Sequence, residues 1–314
     1  MSGLRIVFMG TPEFAVPSLE KIHNSRHQIV GVVTQPDRPR GRGLKLLPPP
    51  VKEAAIGLNL NPILQPESLK DPEFLTILDA LQADVFVVVA FRILPEAVFT
   101  MPPRGTINLH PSLLPKFRGA APIHWTIIQG EKTTGVTTIF IQKKIDAGNI
   151  ILQEEYPVHP DETAGELHDR LAIAGAELLL KTLDLIEAGD VHPIVQDEKM
   201  ATPAPKITRE MCHLSFTQPA VKVKQWIHGL SPYPGAFAYD EQNRIIKLYR
   251  AAVISEEPDE SPPGTILKAK SNDLWISCSP GVIAIEEIQL QGKKRLNVME
   301  FLKGNHLKEG DRLR

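Results

Sequence analysis

The chain has 314 residues, 42% of them hydrophobic, with 35 Lys and Arg against 37 Asp and Glu and a formal net charge of −2. That length exceeds what one core commonly needs, so two domains are expected, and the near-neutral balance excludes a dedicated, strongly basic nucleic-acid binder. No apolar run is long enough to span a bilayer, so no membrane partner is expected; Cys212 and Cys278 are too far apart, with no histidine spacing around them, to suggest a disulfide framework or a zinc site, and a reducing cytoplasm is the expected compartment.

The run LRIVFMG enters a strand almost at once, so no leader peptide is expected. Gly10, Thr11 and Pro12 then read as a turn into a helix, with Thr11 as cap and Pro12 at the first helical position. A lone glycine is not the GxGxxG fingerprint, so a tight turn in a doubly wound sheet is the reading, and a second β-branched run over 29–34 supplies its parallel neighbour. Next comes TQPDRPRGRGLKLLPPP, where Arg38, Arg40, Arg42 and Lys45 sit among prolines and glycines. It reads as an exposed, mobile loop, either merely solvated or suited to phosphate contact with order gained on binding.

A helix is expected over 73–82 and a central parallel strand over 84–90. The stretch 106–110 is the next strand, and its carboxyl end falls where open α/β sheets place ligands. Alternation puts Asn108 and His110 on one face there, before a Pro-bracketed loop that runs to Gly119. A helix over 120–129 and strands over 135–142 and 150–158 follow; the turn KKIDAG between the strands sets Asp146 at the mouth of a hairpin. A long amphipathic helix carries Leu167, Leu171, Leu178, Leu183 and Ile186 on one face and ends at Gly189. Beyond a Pro-bearing, aperiodic stretch come a helix over 218–229, five short strands between 235 and 290, and a short helix over 298–302, which together argue for a small β-barrel. The expected organisation is a catalytic domain over 1–190, a linker over 191–207 and a barrel over 208–314.

Asn108 and His110 offer a hydrogen-bond donor and a titratable imidazole side by side, which suits acyl transfer. Asp146 could orient the imidazole or accept a proton. No Ser or Cys stands beside them as a nucleophile, so the transfer would be direct. The competing reading is a buried histidine satisfied by neighbouring backbone.

NLHPSLLPKFRGAAPI followed downstream by IDAG resembles the signature of the formyltransferases that use 10-formyltetrahydrofolate. The start GTPEFAVPSLE, the loop TQPDRPRGRGLKLLPPPVK and the segment QDEKMATPAPKIT resemble the branch that acts on methionyl-tRNA, so the likeness covers nearly the whole chain. It implies an α/β, Rossmann-like formyltransferase domain with a smaller C-terminal OB-like barrel, and transfer of a formyl group from the folate to the methionine amine on initiator tRNA. It implies Asn108, His110 and Asp146 as the catalytic trio and Ser112, Leu113, Leu114 and Pro115 as the folate-contacting loop. By the same likeness Arg38, Arg40, Arg42 and Lys45 meet the tRNA acceptor stem, with Arg42 as the main contact. No metal and a monomer are expected. Three departures from the family pattern stand out: AFRILP is one residue short, with Arg92 where small or apolar residues are usual; HLSF lacks an acid or amide before its aromatic; and Pro203 replaces a common Tyr. Amino-sugar formyltransferases share the trio, and a nucleotide-linked amino sugar is the alternative acceptor; they do not carry the PDRPRGRG insertion. A purine-pathway enzyme would lack the barrel, and a non-catalytic RNA-binding protein would have no use for the trio.

Overall fold

The computed structural model describes residues 3–40, 45–304 and 306–314. In chain order the elements are β1 (Arg5–Gly10), α1 (Val16–His23), β2 (Gln28–Val33), β3 (Arg38–Arg40), β4 (Lys45–Leu47), α2 (Pro50–Gly57), β5 (Ile63–Leu64), α3 (Pro72–Ala80), β6 (Val85–Val89), α4 (Glu96–Phe99) and β7 (Thr106–His110). There follow α5 (Pro122–Gln129), β8 (Thr133–Phe140), β9 (Ile150–Pro157), α6 (Ala164–Ala188), α7 (Ala220–Gly229), β10 (Ala236–Tyr239), β11 (Ile245–Ser255), β12 (Ile266–Lys270), β13 (Asp273–Ser277), β14 (Val282–Leu290), β15 (Leu296–Asn297) and α8 (Val298–Leu302). Among the described residues no helix is long and apolar enough to cross a membrane.

The chain forms two compact units, Met1–Gly119 with Thr134–Tyr156 and His168–Ala204, and Ala120–Thr133 with Pro157–Leu167 and Pro205–Arg314. The units interleave along the sequence, whereas the expected boundaries at 190 and 208 were simple cuts. The stretch read as a linker is also tied down over much of its length: Ile194 exchanges two backbone hydrogen bonds with Ile150, and Ala204 N donates to Arg118 O at 2.7 Å.

In the first unit a seven-stranded sheet runs β5-β2-β1-β6-β7-β8-β9. From β5 to β7 all pairs are parallel, and β8 runs antiparallel to β7. The continuous apolar run of β6 is buried at every position, as a strand covered on both faces requires. Strand order reverses between β1 and β6, so the crevice at the carboxyl ends of these strands is the topological place for a ligand.

Two local expectations change. Thr11 does not cap a helix: Pro12 precedes a short 3-10 turn, α1 starts only at Val16 with Pro17 in its first turn, and the buried Thr11 hydroxyl makes no hydrogen bond. Pro17 sets the start, because a ring without N–H is tolerated in a first turn and nowhere further in. The basic loop is not irregular throughout either. Its flanks pair as an antiparallel ribbon, Arg38 opposite Leu47, Pro39 opposite Leu46 and Arg40 opposite Lys45. A two-stranded ribbon has no interior strand, so Pro39 is admitted at an edge.

In the second unit a six-stranded antiparallel sheet runs β10-β11-β14-β13-β12, with β15 beside β14. Ile246, Leu248, Leu274, Ile276, Ile283 and Ile288 form its core. Residues 311–314 join the two edges. Ile266 N donates to Asp311 O and Leu313 N to Gly264 O on the β12 side, while Tyr239 and Arg314 exchange backbone hydrogen bonds on the β10 side. That tetrapeptide, DRLR, turns the sheet into the expected barrel.

Candidate active site

Thr106 to His110 form β7 as expected, with Ile107 and Leu109 buried on one face and Asn108 and His110 sharing the other. In register, Asn108 lies between Val88 of β6 and Ile139 of β8. The Asn108 carboxamide is partly exposed and makes no hydrogen bond among the described residues. It is therefore a free donor at the end of a strand.

His110 is 4% exposed. Its Nε2 lies 2.9 Å from Phe117 O, and a carbonyl can only accept, so Nε2 carries the proton. Nδ1 then faces Asp146 Oδ2 at 3.7 Å, too long for a direct hydrogen bond. The two groups thus face each other without a direct hydrogen bond. Phe117 sets the tautomer, and Asp146 is held instead by the Gly119 N–H, which donates to its Oδ2 at 2.9 Å. Both turns need left-handed backbone, φ +61° at Phe117 and +51° at Asp146, each of the order of 1–2 kcal/mol for an L residue. Gly119, at φ +127°, is where glycine is required twice over, since a Cβ would also stand 2.6 Å from Ala204 O.

The loop after β7 is built on one hydroxyl. Thr137 Oγ1 on β8 donates to Ser112 O (2.6 Å) and accepts from Leu114 N (3.3 Å) and Gln153 Nε2 (2.8 Å). Ser112 and Leu114 are buried, Leu114 O is taken by Gln153, and Pro115 O accepts from Thr202 N. Of the expected folate-contacting residues, then, Leu113 and Pro115 keep partly exposed apolar side chains. Leu113 lies over Gly135, where an added Cβ would fall 2.4 Å from Leu113 Cδ2.

Arg92 braces the neighbouring strand end: NH1 donates to Glu67 O (3.0 Å) and NH2 to Pro66 O (2.8 Å), with its guanidinium 5.3 Å from the Phe91 ring centre. Burial lowers the Arg92 pKa below its usual value; the nearby Arg38 charge adds to this and Glu67 opposes it. Arg38 is exposed, Arg40 and Lys45 are backbone partners in the ribbon, and Arg42 lies outside the described residues. One group, His27, Asp184 and Glu187, brings three potential ligand atoms together. Arg26 NH2 lies 2.7 Å from Asp184 and 2.6 Å from Glu187. Leu4 N–H donates to His27 Nδ1 at 3.1 Å, which leaves the proton on Nε2, so this is an ion-pair network.

The family model described as "Formyl transferase" matches residues 4–183, and "Formyl transferase, C-terminal domain" matches 206–306. The chain belongs to the formyl transferase family. It is 44% identical over 309 residues to a protein of Alkaliphilus oremlandii named methionyl-tRNA formyltransferase, covering 98% of this chain and 99% of that one. A protein of the same name from Pelotomaculum thermopropionicum is 45% identical over 308 residues, covering 98% and 97%. Among solved structures, WlaRD, a sugar 3N-formyl transferase crystallised in the presence of dTDP and 5-N-formyl-THF, shares the fold with a TM-score of 0.67 at 20% identity, covering 93% of this chain and 99% of that one. Within this formyl transferase, several residues that shape the site escaped sequence reasoning. Thr137 and Gln153 are single polar letters in strands. Phe117 acts through its backbone. Gln196 and Thr202 sit in a stretch read as linker, and the QDEKMATPAPK motif there was the one signal available.

Proposed function

We infer that the chain transfers the formyl group of 10-formyltetrahydrofolate to the α-amino group of methionine carried on initiator tRNA, acting as a cytoplasmic monomer. The observation that carries the chemistry is the unpartnered Asn108 donor beside a His110 whose Nε2 is occupied and whose Nδ1 faces Asp146. The acceptor is argued from likeness to methionyl-tRNA formyltransferases along nearly the whole chain, and from the basic ribbon.

The folate, when bound, supplies a formyl group activated by its attachment to nitrogen. The pocket residues fit such a ligand: Leu113 and Pro115 offer apolar surface to an aromatic body, and the loop beneath them is already rigid because its own polar groups are satisfied. Asn108 Nδ2 donates to the formyl oxygen as negative charge gathers there. Nδ1 of His110 is the nitrogen left for proton traffic. Once protonated, it donates toward the same oxygen or toward Asp146 Oδ2, closing the 3.7 Å gap. Asp146 accepts the proton that the attacking amine must lose, while Gly119 N–H keeps its carboxylate turned inward. The amine nitrogen gains the formyl carbon, and the donor nitrogen leaves with a proton returned through His110.

The test is formylation of methionyl-tRNA with 10-formyltetrahydrofolate, with a dTDP-linked amino sugar offered in parallel. Formylmethionyl-tRNA should form and the sugar should remain untouched. Preferential turnover of the sugar, or no folate-dependent turnover of either, would sink this reading.

A further inference from the structure

Gln196 lies in the strap between Ile194 and Ala204 and is 6% exposed. Its carboxamide makes four hydrogen bonds. Oε1 accepts from Arg118 Nε (3.1 Å) and NH2 (2.8 Å), and Nε2 donates to Asp146 O (2.9 Å) and Gly148 O (2.7 Å). Two guanidinium N–H groups require oxygen on one side, and two carbonyls require NH2 on the other, so its orientation is fixed.

What it joins matters more than the count. Arg118 precedes Gly119, whose N–H clasps the Asp146 carboxylate; Asp146 and Gly148 form the hairpin tip itself. The strap continues this hold, since Thr202 Oγ1 accepts from Phe117 N at 2.8 Å and Glu198 accepts from Arg118 NH1 at 3.0 Å. Lys144 and Arg118 keep the Glu198 carboxyl below the usual carboxylate range, so that outer contact stays ionic at neutral pH. Asp146 sits in left-handed backbone, which persists only where its surroundings over-determine it.

We infer that Gln196 is a positioning residue for Asp146: it locks the hairpin tip to the loop that carries Phe117 and Gly119, and so sets the distance between the Asp146 carboxylate and His110 Nδ1. The inference rests on the reading above that Asp146 handles a proton in the reaction.

Gln196→Glu is the discriminating change, because it keeps size and keeps the Arg118 contact but turns an acceptor toward the carbonyls of Asp146 and Gly148. Turnover should fall by roughly a hundredfold, with KM for either substrate moving less than about threefold, as for a loss of geometry and not of binding. Combined with Asp146→Asn, it should cost nothing beyond Asp146→Asn alone. Hydrogen exchange at the Gly119 amide should speed up by about tenfold or more in Gln196→Glu, because its partner has moved. In the wild type, the Gln196 side-chain NH2 protons should exchange about tenfold slower than those of exposed Gln242, a measurement that needs no variant. Unchanged Gly119 exchange in Gln196→Glu, additive losses in the double variant, or wild-type Gln196 protons as fast as Gln242 would overturn the inference. If instead Asp146→Asn leaves turnover nearly intact, the proposed chemistry fails, and the two exchange measurements still decide whether Gln196 positions the tip.

Discussion

Two buried histidines, one in each unit, look alike by exposure and differ in what surrounds them. His228 on α7 is 2% exposed and has its Nε2 against the Ala251 backbone, with Ala251 N donating to it at 3.1 Å. Burial, with the Lys224 and Arg250 charges in support, pushes its pKa down to about 4, while Asp161 pulls the other way. His110 also has one nitrogen on backbone, but its other nitrogen faces a carboxylate across a gap with room for a proton. Burial therefore does not mark a working histidine. What sets His110 apart is its place at the carboxyl end of β7, beside the Asn108 donor and across from Asp146.

The largest effect that could break this comparison is on catalysis. His110→Ala should lower kcat by about 10²–10⁴-fold in the formylation assay, the range of a lost general acid or base, while His228→Asn should keep turnover within a few-fold of wild type. Comparable losses from both would mean that the carboxylate opposite Nδ1 is incidental.

The next effect is on stability, and here His228 dominates. Its folded pKa is lowered from 6.5 to about 4, so the unfolded chain binds the extra proton between those values and stability falls as pH drops through that window. The loss approaches ~3 kcal/mol by pH 4 and is absent above pH 7. Trp125, Trp226 and Trp275 all lie in the second unit, so tryptophan fluorescence during urea unfolding reads that unit. The acid-side slope should flatten in His228→Asn. An equally steep slope there would place the titration elsewhere.

A smaller effect concerns charge that needs no burial. Arg38→Ala should weaken tRNA binding by a few-fold and lower the slope of log affinity against log salt by about 1, as for one lost phosphate contact. An unchanged slope would remove Arg38 from the interface.

Much of this was written in the residues. β7 falls on Thr106–His110 as read, because apolar Ile107 and Leu109 alternate there with polar letters at the period of a strand. Asp146 sits at the hairpin mouth because KKIDAG is turn chemistry between two strands. Other features left no letter. The β3–β4 ribbon hides among prolines and glycines that ordinarily break sheets, and DRLR at 311–314 has no strand signal because two ready edges impose its conformation. Gln196 lies in an aperiodic stretch, where ordering comes from side-chain hydrogen bonds that periodicity does not report.

The atom that fixes the tautomer of His110 is the carbonyl of Phe117, and every amino acid brings the same carbonyl. An alanine scan would pass over position 117 as a lost aromatic, and a comparison of side chains would assign it no chemical role. For this role position 117 need only tolerate φ +61°, while the buried aromatic side chain serves packing. A glycine would keep the imidazole set, whereas a proline, locked at negative φ, would move the carbonyl away and also delete the N–H that donates to Thr202 Oγ1. The proton arrangement of the site is in that sense inherited through the path of the main chain.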